Sequence, residues 1–384
     1  MVRIANRNSL SPNITILAYQ IGQYGGIERM TLQVAQALQS AGCYVQGLSI
    51  SSSCGKMLLE GIPVYGVQPQ NIWLRRIYSR ISHFYVPYCL GKLADSSEII
   101  LINHFHLLKY GVKIAQRFKT KVWLIVHGIE IWRDWSPLEK GLLELCDRII
   151  AVSNYTANSV TKRLPNAVGR VVTIPNLVDT ELFKPNRVPI ADVPRVILTV
   201  GRLSSAERYK GHDLIIRSLP GVEKRVGVPV EYHIVGEGDD ETRLRRVAQE
   251  CGVAEKVHFR GRLEADEFLK AYQCCHVFAM PSYVSQRPDG SWTGEGFGIV
   301  YIEAAACGKP VLACEVGGQV DCIRHGETGI LVKPTVESVE SGLVQILGDL
   351  DKARQMGMAG RELVLKNFTR ERFNRKWAEL LKQT

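Results

Sequence analysis

The feature that most constrains this chain is a series of short apolar, β-branched runs, each closed by a small or polar turn and separated by helical stretches. Asn13–Ala18 is the first such run and reads as a buried strand. Gly25-Gly26 follows and opens an amphipathic helix with Met30, Leu32, Val34, Ala35, Ala37 and Leu38 on its apolar side. Ala41-Gly42 ends the helix, and Val45–Ile50 is the next strand. Strand, glycine turn, helix and strand make a βαβ unit, whose crossover is parallel and right-handed. Further strands are expected at Glu98–Asn103, Val122–Val126, Arg148–Val152 and Val171–Ile174. A second set is expected at Val196–Val200, Val230–Val235, Lys256–Phe259, His276–Met280 and Pro310–Cys314. The fold class is therefore α/β with two doubly wound parallel domains. Phe183–Pro194 is proline-rich and lacks periodicity, so it reads as the linker. The expected division is 1–186, 187–366 and a closing helical segment 367–384.

In open parallel sheets, ligands bind beyond the carboxyl ends of the strands. Gly25, His104, His127, Ser153 and Asn176 fall there in the first half. In the second half the same place is taken by Gly201-Arg202, Gly236-Glu237-Gly238, Arg262-Leu263 and Pro281-Ser282. The densest stretch is Gly294–Pro310, in which Glu295 and Glu303 stand eight residues apart around the turn Gly296-Phe297-Gly298. Ile299–Ala306 reads as a buried helix closed by Gly308 and Pro310. Its leading turn offers free N–H groups to an anion. Arg202 and Lys210 are two cations able to neutralise a diphosphate, as a diphosphate leaving group requires when its bond to carbon breaks. Glu303 suits ribose hydroxyls, because carboxylates accept from vicinal OH groups, and Glu295 suits sugar hydroxyls. Gly25-Gly26 lets backbone N–H groups approach the same phosphates from the other half.

The net charge of +10 is one-sided. Met1–Ile190 holds 21 Lys+Arg and 11 Asp+Glu, and the remainder holds 27 of each. A basic first half suggests an anionic partner such as acidic lipid, a phosphorylated acceptor or nucleic acid. Asn71–Ala94 interleaves Arg75, Arg76, Arg80 and Lys92 with Trp73, Tyr78, Phe84, Tyr85 and Tyr88, a pattern that fits an interfacial helix on an anionic membrane and equally a core helix with a solvated basic face. No apolar run has the length of a membrane span, and the first residues show no signal-peptide core. The ten cysteines are scattered and form no C-x-x-C, so free thiols in a reducing cytoplasm are expected.

Several chemistries lack their motifs. The spacing of Gly22, Gly25 and Gly26 is not the dinucleotide G-x-G-x-x-G, and no G-x-x-x-x-G-K-[ST], H-E-x-x-H or G-x-S-x-G occurs.

Taken together these residues resemble the retaining glycosyltransferases of family 4, which have the GT-B fold. The resemblance is carried by Gly25-Gly26-Ile27-Glu28-Arg29, His127-Gly128, Pro175–Asp179, Gly201-Arg202 with Lys210-Gly211, Val235–Gly238, Pro281-Ser282 and the E-x₇-E element from Glu295 to Glu303. It implies two Rossmann-like domains facing a cleft, the second holding a nucleotide-sugar donor and the first an acceptor, with the closing helix crossing back to the first domain. It assigns Arg202 and Lys210 to the diphosphate, Glu303 to the ribose, and Glu295 with the Gly296, Phe297 and Gly298 backbone to the donor sugar. Gly25 and Gly26 would meet the phosphates, His127 the sugar near its reacting carbon, and Gly236, Arg262 and Leu263 the base. It further implies retention of anomeric configuration, with the leaving phosphate taking the acceptor proton. No metal and no cofactor are then expected.

One departure affects the donor. Tyr283–Gly294 is longer and more polar than the family usually has, and it is expected beside the donor sugar or at the cleft rim. Similar loops occur in mannosyltransferases acting on lipid acceptors, which favours GDP-mannose. A UDP-linked glucose, N-acetylglucosamine or galactose remains open, as does a nucleotide-sugar epimerase or hydrolase. A non-catalytic scaffold and a nucleic-acid binder are the other readings, neither of which needs the Glu295, Arg202 and Lys210 set. The expected setting is the cytoplasm, at the inner face of the cell membrane.

Overall fold

The computed structural model describes residues 11–22, 25–69, 84–186 and 191–383. The chain divides into two compact units, one of Met1–Ile174 with Phe373–Thr384 and one of Pro175–Arg372.

The first unit is built on eight strands: β1 (Asn13–Ala18), β2 (Tyr44–Ser53), β3 (Gly55–Leu59), β4 (Ile62–Gln68), β5 (Ile99–Ile102), β6 (Lys121–Val126), β7 (Arg148–Ala151) and β8 (Val171–Thr173). Their order is β3-β4-β2-β1-β5-β6-β7-β8. All pair in parallel except β3 with β4, so nearly every connection needs a crossover, as the alternation of runs and helices requires. Strands β5, β6 and β7 are apolar on both faces and buried, as expected for a sheet covered by helices on each side. The β3–β4 hairpin was not expected from the sequence. Its two-residue turn is Glu60-Gly61, both with positive φ, at 47° and 84°. That geometry matches strand twist, but a glutamate in its first position is a weak signal. The helix Arg370–Lys382 places Phe373, Trp377 and Leu380 on one face, all buried. Trp377 stacks on Trp123 of β6 with ring centroids 6.5 Å apart.

The second unit has six parallel strands: β9 (Arg195–Val200), β10 (Val230–Val235), β11 (Val257–Phe259), β12 (Val277–Met280), then, after a small hairpin of β13 (Ser285–Gln286) and β14 (Trp292–Thr293), β15 (Val311–Cys314) and β16 (Gly329–Val332). The sheet order is β11-β10-β9-β12-β15-β16. The order reverses between β9 and β12, which makes the ends of those two strands the switch point where ligands bind. β16 was not expected. It is only four residues long and begins at Gly329, where a Cβ would lie 2.4 Å from the Val311 carbonyl oxygen.

By its internal contacts the chain first passes from one unit to the other at Ile174–Pro175. Phe183 is buried, and its ring lies edge-on to Tyr272, centroids 5.7 Å apart. Residues 71–83 of the basic-aromatic stretch lie outside the described residues. Residues 84–94 are helical, with Phe84 and Tyr88 exposed and the Lys92 ammonium 4.5 Å from the Tyr88 ring centroid. Among the described residues, no helix is long and apolar enough to cross a membrane.

Candidate active site

The site in the second unit is assembled from four turns. The first follows β9. Gly201 leaves room for Lys210, whose Nζ would lie 3.3 Å from a Cβ at that position. Lys210 ends the 3₁₀ segment Ser205–Lys210 and is buried. Its Nζ lies 2.8 Å from Glu207 Oε2, while the other oxygen of the same carboxylate accepts from the Arg202 guanidinium. One acid thus holds both predicted diphosphate ligands. Arg202 is 78% exposed and Lys210 10% in their side chains, so the pair offers one exposed and one buried charge. Glu207 was not singled out from the sequence; only its position three residues before Lys210 in a 3₁₀ turn could have signalled it.

The second turn, Gly236–Gly238, is pressed against the first. A Cβ on Gly236 would lie 2.0 Å from the Gly201 carbonyl oxygen, and one on Gly238 2.1 Å from that of Leu203. Only glycine fits either approach. Gly236 N–H donates to the Gly261 carbonyl at 2.8 Å, and Arg262 N–H donates to Glu237 Oε1 at 3.3 Å. The backbone of Arg262 is thereby tied to the same knot, with Leu263 half-buried next to it.

The third turn is Glu295–Gly298. Gly298, at φ 87°, is the residue before the helix Ile299–Ala306. Glu295 sits outside the helix and Glu303 on its fifth residue, so the two acids occupy the leading turn and the helix body respectively. Burial raises the Glu295 carboxyl above its ordinary range; Lys210 pulls it down and Glu207 raises it further. Burial, with Glu295 next in size, also raises the Tyr209 phenol. Glu303 is buried and accepts a 2.8 Å hydrogen bond from Tyr272 Oη. Tyr272 is a second residue that sequence reading missed, since an aromatic in an amphipathic helix ordinarily signals core.

The fourth turn, Gly317-Gly318, clamps the third. Gly318 N–H donates to the Glu295 carbonyl at 2.7 Å, and a Cβ on Gly318 would lie 1.9 Å from the Gly296 carbonyl oxygen. Buried Gln319 fixes the neighbouring backbone by donating to the Ser282 and Val316 carbonyls. The long insertion is the β13–β14 hairpin. It rests on the Lys210 segment, with Tyr283 N–H donating to the Tyr209 carbonyl at 2.9 Å and Arg287 to that of Ala206.

In the first unit, His127 follows β6. Its Nε2 lies 2.9 Å from the Asn103 carbonyl, and its backbone N–H donates to Glu130. The His104 ring is 6.3 Å from it and 5.3 Å from that of Tyr19. Burial takes His104 down to about 4. Gly25, at φ 88°, precedes the helix Gly26–Ser40, and the Glu28 carboxylate sits where its Cβ would be.

Comparison with known proteins gives the family and the fold. The family described as "Glycosyltransferase Family 4" matches residues 24–182, and "Glycosyl transferases group 1" matches residues 181–363. The GDP-mannose-dependent alpha-(1-6)-phosphatidylinositol monomannoside mannosyltransferase of Mycobacterium tuberculosis is 32% identical over 277 residues, 68% of this chain and 70% of that protein. Its counterpart in Mycolicibacterium smegmatis is 33% identical over 66% of this chain and 68% of that protein. In fold, the chain is similar to sucrose-phosphate synthase from Thermosynechococcus elongatus, with TM-score 0.76 and 22% identity over 97% of this chain and 98% of that one. It is equally similar to Anabaena HepE in complex with UDP and glucose, with TM-score 0.76 and 19% identity over 97% and 100%. The chain belongs to glycosyltransferase family 4 and has the GT-B fold. It is a hexosyltransferase that takes a nucleotide-sugar as substrate.

Proposed function

We propose that the chain transfers mannose from GDP-mannose, with retention of configuration, to a phosphoinositide-type glycolipid. The observation that carries the donor half of this reading is the Arg202, Glu207 and Lys210 cluster beside Glu295 at the switch point of the second sheet. The identity to phosphatidylinositol mannoside mannosyltransferases supports the sugar and the acceptor class. Arg202 and Lys210 neutralise the diphosphate as the glycosidic bond breaks, so the leaving group needs no bound metal. Glu303 receives the ribose hydroxyls, and Glu295 with the Gly296–Gly298 backbone holds the sugar. Gly236, Arg262 and Leu263 flank the base. His127, Gly25 and Gly26 keep the roles that the family resemblance gives them. The acceptor hydroxyl attacks from the face that the diphosphate leaves, and the departing phosphate oxygen takes its proton, so no protein base is required.

The setting we infer is peripheral, on the inner face of the cell membrane. The excess of positive charge in the first half and the exposed Phe84 and Tyr88 beside Lys92 support it, because cations attract anionic headgroups and aromatic rings settle at the interface. Calorimetric titration with GDP- and UDP-sugars, followed by transfer to phosphatidylinositol mannoside in mixed vesicles, tests the reading. GDP-mannose binding with mannosyl transfer is expected. Binding of UDP-sugars alone would overturn the donor, and release of free sugar or epimer without acceptor would indicate a hydrolase or epimerase.

A further inference from the structure

A second cluster of chemically capable side chains lies in the same unit, apart from the diphosphate residues. Glu231 and His233 are two residues apart on β10, so both point to one face. His258 is the register partner of His233 on the edge strand β11. One donor atom from each of the three lies within 4.8 Å of the others. His233 Nε2 is 2.9 Å from Glu231 Oε2, and His258 Nε2 is 3.5 Å from the same oxygen. The two rings meet at 82° with centroids 4.9 Å apart. Tetrahedral zinc, with bonds of about 2.0–2.1 Å to nitrogen and oxygen, holds its ligand atoms roughly 3.3 Å apart. The separations of 2.9 and 3.5 Å bracket that spacing.

A second observation is independent of the spacing. The Nε2 atom of His258 is buried and has no hydrogen-bond partner, although the side chain as a whole is 39% exposed. At 3.5 Å the Glu231 oxygen is too far for a good hydrogen bond. A buried donor or acceptor without a partner is unfavourable, and the atom lies within reach of the two other ligand atoms.

We propose that Glu231, His233 and His258 bind one divalent transition-metal ion, with zinc the best fit to two imidazoles and a carboxylate and water in the fourth position. The site clips β11 to β10. β11 has only three residues in register, and the chain leaves it through Arg260 into Gly261 and Arg262, which are bonded to Gly236 and Glu237. His233 is three residues before Gly236, roughly 10 Å along the strand, so the ion takes no part in transfer. It holds the arm that flanks the donor base.

The test uses the untagged full chain after chelator treatment, titrated with Zn²⁺ by calorimetry and with Co²⁺ by absorption. The expected result is one ion per chain, tetrahedral Co²⁺ bands of nitrogen and oxygen ligands, and a rise in melting temperature with Zn²⁺. His258→Gln and His233→Gln, checked for folding by circular dichroism, should each weaken Zn²⁺ binding at least 100-fold. Unchanged stoichiometry and affinity in both folded variants would overturn the proposal. So would no binding at 100 μM Zn²⁺. Should both variants unfold, the wild-type Co²⁺ spectrum decides: a thiolate-to-cobalt charge-transfer band assigns the ion to cysteines and overturns the site, and its absence supports it.

Discussion

The Lys210 ammonium lies 2.8 Å from a carboxylate oxygen of Glu207, and the other oxygen of that carboxylate accepts from Arg202. In the proposed donor site, this one carboxylate therefore aligns both cations before a diphosphate arrives. Preorganised charge of this kind acts on the transition state without reorganisation during the reaction. Glu207→Gln removes the alignment and also removes a negative charge beside the diphosphate. We expect kcat to fall at least ~10-fold while the Kd for nucleoside diphosphate stays equal or tightens. Steady-state kinetics with calorimetry on the same preparation separates the two effects.

Glu295 is held above its ordinary value of 4.5, with burial the largest cause. Between that value and the raised one, the folded state binds more protons than the unfolded state, so stability falls as pH rises through this window and stays reduced above it. Glu295→Gln should therefore raise the melting temperature at pH 7 while abolishing transfer. The gain should vanish below pH 4.5. Thermal melts of both proteins across pH 4–8 check the sign; a variant less stable than wild type at pH 7 contradicts it.

Most of the strand pattern was legible because parallel strands buried on both faces write continuous apolar runs, as Trp123–Val126 and Ile149–Ala151 do. The turns at Gly201, Gly236 and Glu295 were legible because glycine and charge coincide at strand ends. Much of what was hidden in the site depends on which side chains and turns the fold brings into contact. Glu207 matters only because the 3₁₀ turn brings it to Arg202 and Lys210. Tyr272 matters only because its helix meets Glu303. Gly318 matters because it touches Gly296. The β3–β4 hairpin and β16 were hidden for a different reason, since a Glu-Gly turn and a four-residue strand carry little local signal.

Tyr272 Oη donates to the buried carboxylate of Glu303 at 2.8 Å. Its phenol is pushed well above the usual value, first by burial and then by that carboxylate. Tyr272→Phe keeps the ring and its packing on Phe278 and removes the bond. A loss of about 1.5–3 kcal/mol is expected for a hydrogen bond to a charged group, together with a several-fold higher KM for the nucleotide-sugar, because Glu303 is less firmly oriented toward the ribose. Urea denaturation and donor kinetics read the two effects.

Gly236→Ala places a Cβ 2.0 Å from the Gly201 carbonyl oxygen at a φ of 138°, in a backbone region that only glycine occupies readily. The turns of Gly201 and Gly236 must separate to admit it. Nucleotide binding should weaken at least ~10-fold with the circular dichroism spectrum of the unit retained. Calorimetry with GDP checks this.

The central claim is that Lys210 and its neighbours grip the donor diphosphate. The most direct measurement is the initial rate of mannosyl transfer from GDP-mannose by folded Lys210→Ala protein at saturating acceptor. Loss of one preorganised charge contact to a leaving group predicts a fall of about 10²–10³-fold. A rate within a factor of about two of wild type would contradict the account.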